Sequence, residues 1–238
     1  MNHLAGTTLT TLPNNIYTKM TTQEYTMNVT LRAGLPGKCA SALQPKCIKC
    51  KQDNMKAPHA NVYHMMTCKK GNQHHYAHSN EQNYMLTWLK KNTILKVERE
   101  QMVEKGSKRR DDIRITWPTG RTTAIDIYMS NTNSLSISYE TQAMKKPGAV
   151  AEMREQEKND KYKETLAKRN INFIPFIMEL NGGYGSQAQE FFSMIAQSVK
   201  DKLNIDDVSA VISNFKNCIS FIQRKSYIQK MFEVIREN

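Results

Sequence analysis

The stretch from Asp112 to Met129 leaves the chain few options. Apolar and polar side chains alternate on both sides of Pro118-Thr119-Gly120. On the first limb Ile113, Ile115 and Trp117 share one face of a strand, and Asp112, Arg114 and Thr116 the other. On the second, Ile125, Ile127 and Met129 face one way and Ala124, Asp126 and Tyr128 the other. Pro-Thr-Gly suits a three-residue hairpin loop, in which proline fixes the first turn residue and glycine takes the left-handed position. Counting outward from that loop pairs Trp117 with Arg121 and, further out, Asp112 with Asp126. Like charges directly opposite each other, with Cβ atoms about 5 Å apart, are unfavourable unless a cation lies between them. A divalent metal supplies that reason: carboxylate oxygens hold Mg²⁺ or Mn²⁺ and leave positions open for water and a phosphate oxygen. The bland alternative is a pair of solvated surface aspartates.

The rest of the chain gives the hairpin its surroundings. Residues 1–34, rich in Thr and Asn with little periodicity, read as an N-terminal tail or linker. Residues 81–92 carry Met85, Leu86 and Leu89 at helical spacing with lysines at the end. Three stretches with β character follow, ILKVERE, RRDDIRITWP and RTTAIDIYMS. Residues 149–169 are dense in helix formers, and NFIPFIMEL reads as a buried strand with one proline near its edge. After NGGYG the pattern predicts helices at about 186–203, 206–217 and 219–236. This order is α/β or α+β, with a core over 81–185 and a C-terminal helical extension over 186–238. Within it Glu98 and Glu100 offer a third acid for the hairpin site, and strand parity does not choose between them. Lys158 and Lys161 lie three apart on one helix face with Tyr162 beside them. A lysine there can orient the attacking water or neutralise charge on a phosphate. The alternative is a surface lysine paired with Glu155 or Glu157.

Four of the five cysteines and five of the six histidines fall between Leu35 and His78. Cys47-x2-Cys50, thirteen residues, then His64-x3-Cys68 places three thiolates and an imidazole at a spacing that suits tetrahedral zinc, and residues 35–80 read as a CCHC zinc knuckle. Cys39, His59, His74, His75 and His78 are spare ligands. Such a closed site is structural. The other reading is a set of reduced, buried thiols with surface histidines.

Lys and Arg outnumber Asp and Glu by 34 to 22, a formal charge of +12 that points to a polyanionic partner. Lys105, Lys108, Arg109 and Arg110 form the densest basic run before the hairpin and are the candidate phosphate contacts. No apolar run of about 18 residues exists, and the N-terminus lacks the pattern of a secretory signal, so no membrane partner is expected. Charge alone does not separate a nucleic-acid enzyme from a passive binder.

Taken together, these motifs resemble the restriction-like endonuclease region of the reverse-transcriptase polyproteins of non-LTR (LINE) retrotransposons, over about residues 27–185. The resemblance rests on Leu31-Arg32-Ala33-Gly34-Leu35-Pro36 before the knuckle, the knuckle itself, and the histidine region at His78. It continues through Arg109-Arg110-Asp111-Asp112 with its spacing to Asp126, the Lys158-x2-Lys161-Tyr162 helix, and the apolar run Phe173 to Phe176. It implies a restriction-endonuclease-like, PD-(D/E)XK-type mixed β-sheet core flanked by helices, with the basic residue moved to the following helix. Asp112 and Asp126 would bind Mg²⁺ or Mn²⁺, Glu98 would be a further acid, and Lys158 or Lys161 the catalytic lysine. The activity implied is nicking of double-stranded genomic DNA in the nucleus, or entry there from the cytoplasm, to prime reverse transcription. The element RNA and a reverse-transcriptase domain would be partners. A catalytically inactive zinc-stabilised binding module that positions a partner polymerase is the rival reading. Two departures stand out: Asp111 occupies the family's proline position, adding a negative charge that could weaken cleavage, and Tyr128 stands where a lysine would follow Asp126. The knuckle carries its own expectation, one tightly held zinc per chain that is lost in Cys50→Ser, measured as metal content of the purified protein.

Overall fold

The computed structural model describes residues 19–32, 73–103, 106, 109–130, 146, 148–179 and 182–236. Cys39, Cys47, Cys50, His59, His64, Cys68, Lys105 and Lys108 lie outside the described residues. Among the described residues the elements run α1 (Thr22–Arg32), α2 (Gln73–Asn92), β1 (Lys96–Arg99), β2 (Ile113–Thr116), β3 (Thr122–Ser130), α3 (Ala149–Ala167), β4 (Ile171–Glu179), α4 (Ser186–Leu203) and α5 (Ser209–Arg236).

The four strands form one mixed sheet in the order β1-β2-β3-β4. The hairpin forms in the expected register from Thr116 opposite Thr122 to Ile113 opposite Ile125, but the ladder ends there: the Asp112 N–H bonds to the Ile125 carbonyl, so the expected direct pairing of Asp112 with Asp126 does not form. Its loop closes through Trp117 N–H to the Arg121 carbonyl and Gly120 N–H to the Trp117 carbonyl, both 2.8 Å, with Gly120 at φ 80°. β4 lies parallel to β3 along its whole length, with Asp126 opposite Pro175. Pro175 sits at mid-strand, where its missing N–H is tolerated because β4 is an edge strand.

Period-two alternation decides which helix covers which face. Ile113, Ile115, Ile125, Ile127, Phe176 and Met178 form one buried cluster with Met85 and Leu89 of α2, Phe191 and Phe192 of α4, and Phe215 of α5. Ala124, Ile171 and Phe173 turn to the opposite face and meet Leu166 of α3, with Tyr162 against them. Aromatic rings tie the first cluster together: Phe192 meets Phe176 edge-on at 5.5 Å and Phe215 at 5.8 Å, and Trp88 stacks on Phe215 at 3.8 Å. The C-terminal helices are therefore part of the core.

Three differences from the sequence reading have physical causes. Residues 209–236 form a single helix, because the run through Cys218 contains no glycine or proline to break it. Helix α2 starts at Gln73 and carries His74, His75 and His78, so the last residues assigned to the knuckle belong to this helix. Within the expected tail, Thr22–Arg32 is helical. Thr21 and Glu24 cap it reciprocally: the Thr21 N–H donates to Glu24 Oε2 at 2.7 Å and the Glu24 N–H to Thr21 Oγ1 at 3.2 Å. It docks on α5 through Arg224 Nε donating to Asn28 Oδ1 at 3.2 Å and Gln229 Nε2 to Glu24 Oε1 at 2.7 Å.

Helix α3 is seated by carboxylates at both neighbouring junctions. Glu179, at the end of β4, accepts from Val150 N–H at 3.0 Å and so satisfies the amino end of α3. Glu155 of α3 accepts in turn from Gln187 and Ala188 N–H at 3.0 and 3.1 Å at the amino end of α4. Gly148, which leads into α3 at φ 88°, has no room for a side chain, since a Cβ would lie 2.7 Å from the Tyr184 carbonyl oxygen. Among the described residues no helix is long and apolar enough to cross a membrane. Because Phe192 joins two sheet strands' core to α5, Phe192→Ala is expected to cost about 3–5 kcal/mol, measured as the shift in urea unfolding free energy.

Candidate active site

The strand ends nearest α2 and α3 gather the charged groups. Asp112 lies one step beyond the last hairpin pair, and there the ladder changes. Its N–H donates to the Ile125 carbonyl at 3.0 Å, while its side-chain Oδ2 accepts from Ile127 N–H at 2.6 Å. The carboxylate thus takes a place that a backbone carbonyl would otherwise fill, and this fixes it against β3 beside Asp126. On its other side His78 Nε2 of α2 lies 3.1 Å from the same Oδ2, and Gln82 Nε2 donates to the Asp112 carbonyl at 2.8 Å. His78 and Gln82 are four apart, on one helix face. The hydrogen bond to Asp112 raises the affinity of His78 for its proton, against the opposing effect of burial.

Asp126 projects from β3 toward α3, where Lys158 Nζ approaches its Oδ2 at 2.7 Å. The contact is a close, charge-assisted ion pair. Burial pushes the Asp126 carboxyl up, the Lys158 charge pulls it down, and the nearby Asp112 charge pushes it up again. Two carboxylates therefore share this end of the sheet, each held by one basic side chain from a different helix.

The structure distinguishes the candidate lysines and acids. Lys158 reaches Asp126, whereas Lys161 is exposed and lies 5.0 Å from the Tyr162 ring centroid. Neither expected surface partner takes Lys158, since Glu155 caps α4 and Glu157 pairs with Arg154. Glu98 stands on the outer strand β1, opposite Arg114, with Lys96 Nζ 3.4 Å away, and does not join Asp112 and Asp126. Glu100 pairs with Arg99 and Arg110. Arg109 and Arg110 are exposed on the ribbon that extends β1 and β2, where Met102 bridges Arg110. Asp111 adds no open charge to the site: it is buried in an ion pair with Arg114 and accepts from Gln101 N–H at 2.9 Å.

The acid that the sequence reading missed is Glu81, one turn after His78 on α2. It is 2% exposed, its Oε1 has no hydrogen-bond partner among the described residues, and burial pushes its carboxyl from 4.5 up to about 8. It lines a small pocket with His78, Tyr128, Met129 and, from the C-terminal helix, Tyr227. The His78-x2-Glu81-Gln82 spacing was the available signal, a helical face carrying three polar groups before the hairpin.

Among the described residues no three His, Cys, Asp or Glu side chains converge as a ready metal cage. The donor chemistry still fits a hard cation. Oδ1 of both Asp112 and Asp126 makes no hydrogen bond among the described residues, and Mg²⁺ commonly takes only one or two carboxylates and keeps waters. Compared with known proteins, the chain matches no family model and no curated sequence.

Glu81 also sets a pH dependence of stability. The unfolded chain releases this proton near pH 4.5, while the folded protein keeps it until about pH 8. Over that interval the folded state binds more protons, so stability falls as pH rises. Glu81→Gln lacks this loss. Its melting temperature is expected to gain on wild type from about pH 5 to about pH 8 and to hold a constant advantage above, as read by thermal unfolding across that range.

Proposed function

We propose that the protein is a divalent-metal-dependent DNA endonuclease that nicks genomic target DNA so that the free 3′ hydroxyl primes reverse transcription of a retrotransposon RNA. The observation that carries this reading is the pair Asp112 and Asp126 at one end of the sheet with Lys158 2.7 Å from Asp126. The target-priming role rests on the sequence resemblance, and the net charge of +12 agrees with a polyanionic substrate.

Asp112 and Asp126 would hold Mg²⁺ or Mn²⁺, with Glu81 in place of Glu98 as the further acid. When bound, the ion would supply Lewis acidity and a water acidified toward neutral pH. The Ile127 N–H and His78 keep the Asp112 carboxylate in one orientation, which limits the reorganisation needed when substrate arrives. Lys158 brings a positive charge to the place where the scissile phosphate gains negative charge as water attacks in line. Arg109 and Arg110 would grip the backbone from the adjoining ribbon, with Lys105 and Lys108 in the same stretch of sequence, and a zinc knuckle at Cys47, Cys50, His64 and Cys68 would add phosphate contacts.

A second reading has its own observation. Both carboxylates already face basic side chains of the protein, and no three-ligand cage gathers among the described residues. A module that binds nucleic acid without cutting it and positions a polymerase would look the same.

Supercoiled-plasmid nicking with Mg²⁺ or Mn²⁺ separates the two. Wild type is expected to produce relaxed circles, with losses on the order of 10²-fold or more for Asp112→Ala, Asp126→Ala and Lys158→Ala at matched DNA binding. Lys161→Ala should stay within a few-fold of wild type. Equal inactivity of all variants and wild type, with DNA binding intact, would favour the binding module.

A further inference from the structure

Asp126 and Tyr128 are two apart on β3 and therefore project from the same face, about 7 Å along the strand from each other. Lys158 descends between them from α3. Its Nζ lies 2.7 Å from Asp126 Oδ2, 5.0 Å from the centroid of the Tyr128 ring and 5.7 Å from that of Tyr162. Arg154, one helical turn earlier, places its guanidinium carbon 5.9 Å from the same Tyr128 ring. A lysine chain has four rotatable bonds and, on an open helix face, samples many positions. Here one wall of its cage is a carboxylate and two are aromatic faces whose negative quadrupoles attract a cation.

We infer that Tyr128 is a positioning residue: its ring face holds the Lys158 ammonium beside Asp126, so that a lysine delivered from α3 is fixed at the strand. The inference rests on the endonuclease reading for its kinetic consequence and on geometry alone for the cage. Tyr162 contributes the more distant wall, and Lys161, which is exposed, also lies over that ring, at 5.0 Å. The ring, rather than the hydroxyl, does the holding. Tyr128→Phe preserves the cage and Tyr128→Leu removes a wall while keeping an apolar side chain at the position.

Two measurements on the full chain test this. The first follows the ¹³Cε and attached-proton resonances of Lys158 in lysine-labelled protein, assigned by their absence in Lys158→Arg. An ammonium-bearing methylene close to a ring face is shifted upfield, and the shift is expected to persist in Tyr128→Phe and to collapse in Tyr128→Leu. The second follows plasmid nicking at saturating DNA. Tyr128→Leu is expected to lower kcat about fivefold, the rate equivalent of about 1 kcal/mol, with KM within twofold of wild type. Tyr128→Phe should stay within twofold in both.

If Tyr128→Leu does not fold, mono- and trifluorinated phenylalanines at position 128 replace it, because fluorine drains the ring face with little change of shape. Lys158 shift and kcat should then fall stepwise with fluorination. An unchanged Lys158 resonance on ring removal, a flat fluorination series, or a Tyr128→Phe variant as impaired as Tyr128→Leu would overturn the inference. A wild type that does not nick removes the endonuclease reading but leaves the resonance measurement to decide the cage.

Discussion

The parallel pairing of β3 with β4 is the constraint from which the rest of this structure follows. A parallel neighbour cannot be reached by a tight turn, so the chain must leave the end of β3, cross one face of the sheet and return. The crossover here carries α3, and α3 carries Lys158. Helix and strand are then held in one register by Leu166 packed on Ala124 and Phe173, and by Glu179, at the end of β4, satisfying the amino end of the same helix. Asp126 meets Lys158 because a β-α-β connection leaves little freedom for that face of the helix.

Electrostatics at the strand ends follow from this packing. Two aspartates that would repel each other are matched to basic side chains of two different helices: His78 from α2 serves Asp112, and Lys158 from α3 serves Asp126. In a third carboxylate, Glu81, one oxygen finds no hydrogen-bond partner among the described residues, and burial leaves the group holding its proton well above the usual carboxylate range. Burying a carboxyl oxygen without a hydrogen-bond partner, as at Glu81, is costly to maintain for stability alone. It is the arrangement expected where charge is to be reorganised on binding a cation or a phosphate.

Much of this was legible in the sequence. The hairpin register followed from alternation and from Pro118-Thr119-Gly120, because a period of two and a defined loop leave one solution. The face carrying Lys158 followed from helical spacing. What local pattern does not carry is which of two lysines a helix's azimuth brings to the strand, or which acid comes from outside the hairpin. Glu98 lies nearer the hairpin in sequence than Glu81, but β1 is the outer strand and the Glu98 side chain meets Lys96. Glu81 lies farther away in the chain and arrives through the packing of α2 on the sheet and on α5. Likewise the Thr21-x2-Glu24 cap announced a helix start inside an otherwise featureless stretch, while its docking on Arg224 and Gln229 is a long-range contact that no local pattern encodes.

The central claim is that Asp112 and Asp126 form one divalent-cation site. Its most direct test is equilibrium Mn²⁺ binding followed by electron paramagnetic resonance on the purified protein, comparing wild type with Asp112→Asn and Asp126→Asn. The account predicts one bound Mn²⁺ in wild type and marked weakening in each variant, since the amide keeps the shape and loses the charge. Mn²⁺ binding that is the same in all three proteins would contradict it.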